Sequence, residues 1–352
     1  MLEPKPISAA DAASPIPSPA KRGRAREGAA TSHDVILSLA LPYREKLEIR
    51  RTVFDGGGGG PKVAVVAGIH GDELEGLYLC HRLAAVLEEL VAREPAALRG
   101  RVEIYPALNP LGIDTIQRSV PVFDADLNRM FPGHREGLPP QRIADAVMRE
   151  LAGAALVIDV HASNIFLREI PQVRINQQFA QALLPLAAET NVDLIWVHGA
   201  VTVLEATIAH SLNSRGVPCL VVEMGVGMRV TPELSEQLLV GILHLWQRLG
   251  VLDANLPLER PAHTAFVAGD HNVHYLNAET SGIFVPSAPH WIGLHRGQRL
   301  GVIVSPHAGE VLSEVRSPVD GVLFTLREYP IVYEGSLMAR IMEADVPAGG
   351  SA

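Results

Sequence analysis

Lysine is nearly missing from this sequence. Of 352 residues only Lys5, Lys21, Lys46 and Lys62 are lysines, and arginine supplies the rest of the 30 basic side chains. Beyond residue 62 a lysine nucleophile or Schiff-base former is therefore excluded. Cysteine is as thin: Cys80 and Cys219 stand alone in apolar stretches, which argues against a disulfide framework and makes a reducing compartment the default. No segment comes near the roughly 18 uninterrupted apolar residues of a membrane span, and no hydrophobic stretch follows the amino terminus as in a signal peptide. A cytoplasmic protein with no membrane partner is expected. The Gly-x-Ser-x-Gly elbow of serine hydrolases is absent as well. A net charge of -9 and a pI near 5.9 argue against nucleic acid as a partner, because phosphate contacts need a basic face.

What is present suffices for one large core and a second small one, since 47% of the chain is hydrophobic. Residues 1–31 are rich in Pro, Ala and Ser and carry the basic cluster Lys21-Arg22-Gly23-Arg24-Ala25-Arg26 without any apolar period. A disordered tail is expected there. Residues 32–255 alternate strand and helix patterns. Strands are expected at Leu47 to Phe54, Val63 to Ala67, Val102 to Leu108, Leu156 to Val160, Leu194 to Val197 and Val217 to Val222. Helices are expected at Glu73 to Val91, Gln141 to Leu151, Gln178 to Thr190, Leu204 to Arg215 and Pro232 to Leu249. Such alternation implies an α/β fold with a mostly parallel or mixed sheet covered on both faces. From 256 to 345 helical periodicity gives way to short β runs separated by Gly and Pro, so a small C-terminal all-β domain is expected. Gly56 to Gly60 lack a following Gly-Lys-Ser or Gly-Lys-Thr, which argues against a phosphate cradle and for a flexible hairpin connection.

Chemistry concentrates at strand exits. His70 and Glu73 follow the run Val63-Ala64-Val65-Val66-Ala67, and His161 ends Leu156-Val157-Ile158-Asp159-Val160. α/β sheets place ligands at such carboxyl ends. Two His and one Glu are the protein ligands of a catalytic zinc, which leaves a fourth position for water. Glu223, at the end of a third apolar strand, is placed to serve as the base.

The motifs Gly68-Ile69-His70-Gly71-Asp72-Glu73, Asn109-Pro110-Leu111, Asp126-Leu127-Asn128-Arg129, Asp159-Val160-His161 and Val222-Glu223-Met224-Gly225 occur in one series. In that order they resemble the succinylglutamate desuccinylase and aspartoacylase family over about residues 34–343. The resemblance implies a zinc carboxypeptidase-like fold and hydrolysis of the amide bond of N-acyl amino acids. It further implies one zinc per chain held by His70, Glu73 and His161, with Glu223 as general base. Asn128 and Arg129 would hold the substrate carboxylate, and Arg118 would polarise the scissile carbonyl. Ser119 to Ala125 lengthen the segment between Arg118 and the Asp-Leu-Asn-Arg run relative to several relatives. Arg168 and Arg174 are candidates to read a second anionic group, with Arg168 the candidate substrate contact and a surface position the alternative. Gly297-Gln298-Arg299-Leu300-Gly301 and Ser317-Pro318-Val319-Asp320-Gly321 resemble barrel-sandwich domains related to biotinyl and lipoyl carriers. Carrier duty needs a lysine that this region lacks, so shaping access to the site is the expected role. His271, His274, His290, His295 and His307 are expected to be loop histidines near the mouth. A carboxypeptidase and a silent binding protein are the alternatives to a small-molecule deacylase, and homo-oligomerisation is left open.

Overall fold

The run Val63-Ala64-Val65-Val66-Ala67 is apolar at every position because both faces of its strand are covered. Val63, Val65 and Ala67 enter one core and Ala64 and Val66 another on the opposite face. This alternation organises a computed structural model that describes residues 29–43, 45–199 and 205–345.

The described residues open with β1 (Ala30–Ala40), β2 (Lys46–Asp55), β3 (Lys62–Ala67), α1 (Glu75–Arg93), β4 (Arg101–Tyr105), α2 (Pro110–Thr115), α3 (Pro139–Leu151), β5 (Leu156–Ala162) and β6 (Leu167–Asn176). It continues through α4 (Ala180–Ala187), β7 (Leu194–His198), α5 (Ile208–Asn213), β8 (Cys219–Gly225) and α6 (Pro232–Arg248). Among the described residues only strands follow: β9 (Phe266–Gly269), β10 (Val273–Asn277), β11 (Gly282–Pro286), β12 (Gly293–Leu294), β13 (Arg299–Val304), β14 (Val311–Arg316), β15 (Gly321–Arg327), β16 (Ile331–Val332) and β17 (Leu337–Glu343). No helix among the described residues is long and apolar enough to cross a membrane.

A mixed sheet runs in the order β1-β2-β4-β3-β5-β8-β6-β15-β17-β10, with β7 joining β6 to β9. Its centre is parallel, β4-β3-β5-β8. α1 and α6 cover one face through Leu79, Leu83, Leu87, Leu238 and Trp246, and α3 and α5 cover the other through Ile143, Val147, Leu151, Ile208 and Leu212. α1 carries Glu75 in its first turn and Arg93 in its last, the charge order that its dipole favours.

The C-terminal strands do not stand apart from this sheet. β15 pairs with β6 through Thr325↔Glu169 and β9 pairs with β7, while β14-β13-β11-β16 form a second, antiparallel sheet. The region has its own core around Leu294, Leu300, Leu323 and Ile341, and a junction core where Ile170, Trp196 and Phe324 meet.

Three expectations are corrected. β1 begins at Ala30, inside the segment read as tail; residues 1–28, with the basic cluster, lie outside the described residues, as does residue 204 at the start of one expected helix. β6 has no counterpart in the sequence reading, because Pro171 and its charged residues interrupt the apolar pattern. The glycine run is not a hairpin connection, since β4 lies between β2 and β3 and pairs with both. The run passes so close to the Leu98–Gly100 backbone that a Cβ on Gly60 would sit 2.5 Å from Arg99 O. Glycine is required there by contact. Gly60→Ala is expected to lower stability by about 1–3 kcal/mol through overpacking, whereas Gly58→Ala, whose Cβ would lie at an ordinary 3.4 Å, should leave the melting temperature nearly unchanged.

Candidate metal centre and active site

The turn after β3 owes its shape to Gly71. A Cβ there would fall 2.0 Å from the carbonyl carbon of Gly112, so the turn packs directly on the backbone of α2. Asn109 fixes that helix: its Oδ1 accepts from Gly112 N at 2.9 Å, and its Nδ2 donates to Ser119 O at 3.1 Å. The Asn-Pro-Leu motif thus buttresses the His-Gly-Asp-Glu turn.

From that turn His70 and Glu73 meet His161 at the end of β5. Glu73 is only 4% exposed and lies between the two imidazoles. Its Oε1 is 2.6 Å from His70 Nδ1, and its Oε2 is 2.8 Å from His161 Nδ1 and accepts from Ala162 N at 3.2 Å. The other ring nitrogens are held by aspartates: His70 Nε2 is 3.1 Å from Asp126 Oδ1 and His161 Nε2 is 3.0 Å from Asp159 Oδ2. One ligating atom from each of His70, Glu73 and His161 lies within 4.8 Å of the others. Among the described residues no other His, Cys, Asp and Glu side chains cluster this way. The set fits a zinc ion in residue type, and the aspartates supply the outer carboxylates that orient metal-binding histidines.

Charge follows from the packing. Burial alone would raise Glu73, but the facing imidazoles outweigh it and hold the carboxyl far below its usual range. Burial would lower the imidazoles, yet Asp159 and Glu73 hold His161, and Glu73 and Asp126 hold His70, above the ordinary histidine value.

The cluster opens into a cavity of about 580 Å³ that Arg118, Asn128, Arg129 and Glu223 also line. His161 and Glu223 are register partners on the adjacent parallel strands β5 and β8. Burial pushes the Glu223 carboxyl up to about 7; Arg174 opposes the rise and neighbouring Glu169 adds to it. Arg118 donates Nη1 to Glu73 Oε1 at 3.0 Å and Nη2 to Asp126 Oδ2 at 3.5 Å. Arg129 donates to Asn128 O at 2.9 Å. The Oδ1 of Asn128 accepts from Ile208 N at 3.1 Å, the first residue of α5. Its amide nitrogen makes no hydrogen bond among the described residues.

Arg168 is not brought to this cavity. It is exposed on β6, and the arginines that line the cavity beside Arg118 and Arg129 are Arg174 and Arg340. A bulge explains the exchange: Glu169 and Gln172 are three positions apart where their partners Gly225 and Glu223 are two apart. The extra residue at Ile170-Pro171 reverses the alternation of side chains, so Glu169 and Arg174 share the cavity face. Sequence reasoning missed Glu169, Trp196 and Arg340 entirely. Pro171 inside a charged, β-prone stretch was the one available signal. Of the five C-terminal histidines, His274 lies 2.9 Å from Glu343 Oε2, His290 3.1 Å from Phe324 O and His295 3.3 Å from Asp320 Oδ1.

The mixed α/β sheet thus brings two imidazoles and a carboxylate at its strand exits, a further carboxylate beside them and four arginines to one cavity. Residues 59–249 match the Succinylglutamate desuccinylase/Aspartoacylase catalytic domain, and the chain belongs to that family of deacylases, which act on carbon–nitrogen bonds. Over 115 residues it is 33% identical to the N-alpha-acetyl-L-2,4-diaminobutyric acid deacetylase of Halomonas elongata, a stretch that spans 32% of this chain and 32% of that relative. The product-bound structure of the Ectoine utilization protein EutE (DoeB) from Ruegeria pomeroyi is similar over 91% of this chain and 97% of that one, with a TM-score of 0.75 at 21% identity. A succinylglutamatedesuccinylase/aspartoacylase from Rhodobacter sphaeroides gives 0.74 at 24% identity, over 92% and 97%. At these identities the likeness is one of fold.

Because each imidazole is held from behind by a carboxylate, Asp159→Asn is expected to weaken zinc binding about 10- to 100-fold. Calorimetric titration of zinc into the metal-free variant and the metal-free parent checks this.

Proposed function

We propose that the chain is a zinc-dependent amidohydrolase that removes the acyl group from an N-acyl amino acid. The observation that carries the reading is the convergence of His70, Glu73 and His161 within 4.8 Å in a cavity that Glu223 also lines. One zinc held by those three side chains would act as a Lewis acid towards water and the scissile carbonyl. Glu223 takes the proton of the attacking water and passes it to the leaving nitrogen. A carboxyl raised to about 7 suits both transfers, since neither proton state lies far out of reach at neutral pH. Arg118, already at the metal ligands, faces the negative charge that develops on the carbonyl oxygen. Such a fixed cation contributes about 3–4 kcal/mol in a site shielded from water. Asn128 and Arg129 hold the substrate carboxylate, where the planar guanidinium fork suits two oxygens. Arg340, reaching in from β17, adds to the cationic lining and makes the C-terminal strands part of the cavity wall. A walled cavity favours a small amide over a long peptide, and the acetylated diamino acid named for the Halomonas elongata relative is of that size.

Purified protein is expected to contain about one zinc per chain by plasma emission spectrometry, and to hydrolyse members of a panel containing N-acetyl-2,4-diaminobutyrate, N-acetylaspartate and N-succinylglutamate. Full turnover in thoroughly chelated protein would sink the zinc assignment.

Glu223→Gln should keep zinc and fold but lose roughly 100-fold or more in kcat. In the parent, kcat/KM should fall as pH drops, because a protonated Glu223 cannot accept a proton; with the ion's positive charge beside His161 the limb should lie at or below about 7. An acid limb well above that value would place the base elsewhere.

The two arginines separate kinetically. Arg129→Ala should raise KM more than it lowers kcat, since it loses a contact present in ground and transition states alike. Arg118→Ala should lower kcat by roughly 100-fold with a smaller change in KM.

A further inference from the structure

Four side chains around the cavity stand in one row of alternating charge. Arg340 donates Nη1 to Glu169 Oε1 at 2.6 Å. Arg174 donates Nη2 to both oxygens of Glu169, at 2.6 and 2.7 Å, and Nη1 to Glu223 Oε1 at 3.2 Å. Glu169, with a side chain 1% exposed, is the hub. The two guanidinium carbons each lie 5.5 Å from the ring centroid of Trp196, so both guanidinium groups pack against one indole. The Nε of each is buried without a hydrogen-bond partner. Their terminal nitrogens therefore carry the bonding, and both of those on Arg174 are engaged with protein carboxylates. Arg129 differs: among the described residues its side chain hydrogen-bonds only its neighbour's carbonyl.

We propose that Arg174 is a positioning residue for Glu223, held at the right place by Glu169 and, through it, by Arg340 of the C-terminal sheet. This rests on the reading of Glu223 as the base. A glutamate has three rotatable bonds between backbone and carboxylate, and a misplacement of about 1 Å at a reacting group can cost roughly 100-fold. A row bonded at every joint removes that freedom. It spans β8, β6 and β17, so the alignment of the base depends on the seam between the central sheet and the C-terminal strands.

The test uses the zinc-loaded full chain. Arg174→Met should lower kcat by roughly tenfold to 100-fold with KM little changed and zinc content intact. Arg174→Lys, which keeps the charge but not the fork, should restore part of the loss. Arg340→Met should lower kcat severalfold on its own and add nothing in the Arg174→Met background, because it acts only through Arg174. A rise in KM at unchanged kcat would make Arg174 a ligand contact and overturn the proposal, as would independent, multiplying effects of the two arginines. Should Arg174→Met fail to fold, Arg174→Lys carries the same comparisons. A thermal-melt cycle of Arg340→Met against the Arg174 variant needs no substrate: a non-additive shift supports the row and an additive one breaks it. That arm stands even if the parent hydrolyses nothing in the panel, an outcome that would defeat the deacylase reading alone.

Discussion

The carboxylate of Glu73 is the group around which the site is assembled. An anion this deeply buried survives only if its oxygens are fully engaged, and Glu73 engages both imidazoles, Arg118 and the Ala162 amide. The contacts come from three pieces of chain, so satisfying one side chain draws the turn after β3, the end of β5 and the loop bearing Arg118 to a single point. The same carboxylate, with Asp159 behind His161 and Asp126 behind His70, holds both imidazoles above the ordinary histidine value. A metal that took their nitrogens would compete with protons, which would couple its affinity to pH.

The parallel strands act as a ruler. β3, β5 and β8 are neighbours, and their carboxyl ends release His70 and Glu73, His161, and Glu223 at successive steps across the sheet. Strands lie about 4.8 Å apart, which is the spacing at which side chains from adjacent ends can share one cavity. β6 breaks the regularity with its bulge, and by doing so turns Glu169 and Arg174 inward.

The meeting of His70, Glu73 and His161 was legible because strand exits are marked by an apolar run followed by a polar residue. The runs before His70, His161 and Glu223 all become strands of the sheet core. Helix bounds moved by up to four residues, most where α5 begins at Ile208 instead of Leu204, and by two where α1 begins at Glu75 and leaves Glu73 in the turn. What was not legible depends on geometry that no local pattern encodes. The choice between Arg168 and Arg174 turns on one extra residue in β6. Arg340 and Trp196 lie far from the other site residues in sequence, and only strand pairing brings them near. The glycine run was misread because its glycines answer to the backbone of residues 98–100, a contact invisible from the run itself.

The seam between β6 and β15 also bears on how the chain acquires its form. Glu169 and Thr325 are register partners 156 residues apart, and pairings across such separations close slowly, after local structure has formed. On a ribosome the apolar cores flanking β3 could gather while the last strands were still unmade. The Leu167–Glu169 end of β6, which β15 pairs, would then stand open, with its backbone groups unpaired and prone to join another chain. β15 and β17 therefore serve as the closing piece of the central sheet, and a chain that stalled before them would be at greatest risk of aggregating through the strand that carries Arg174.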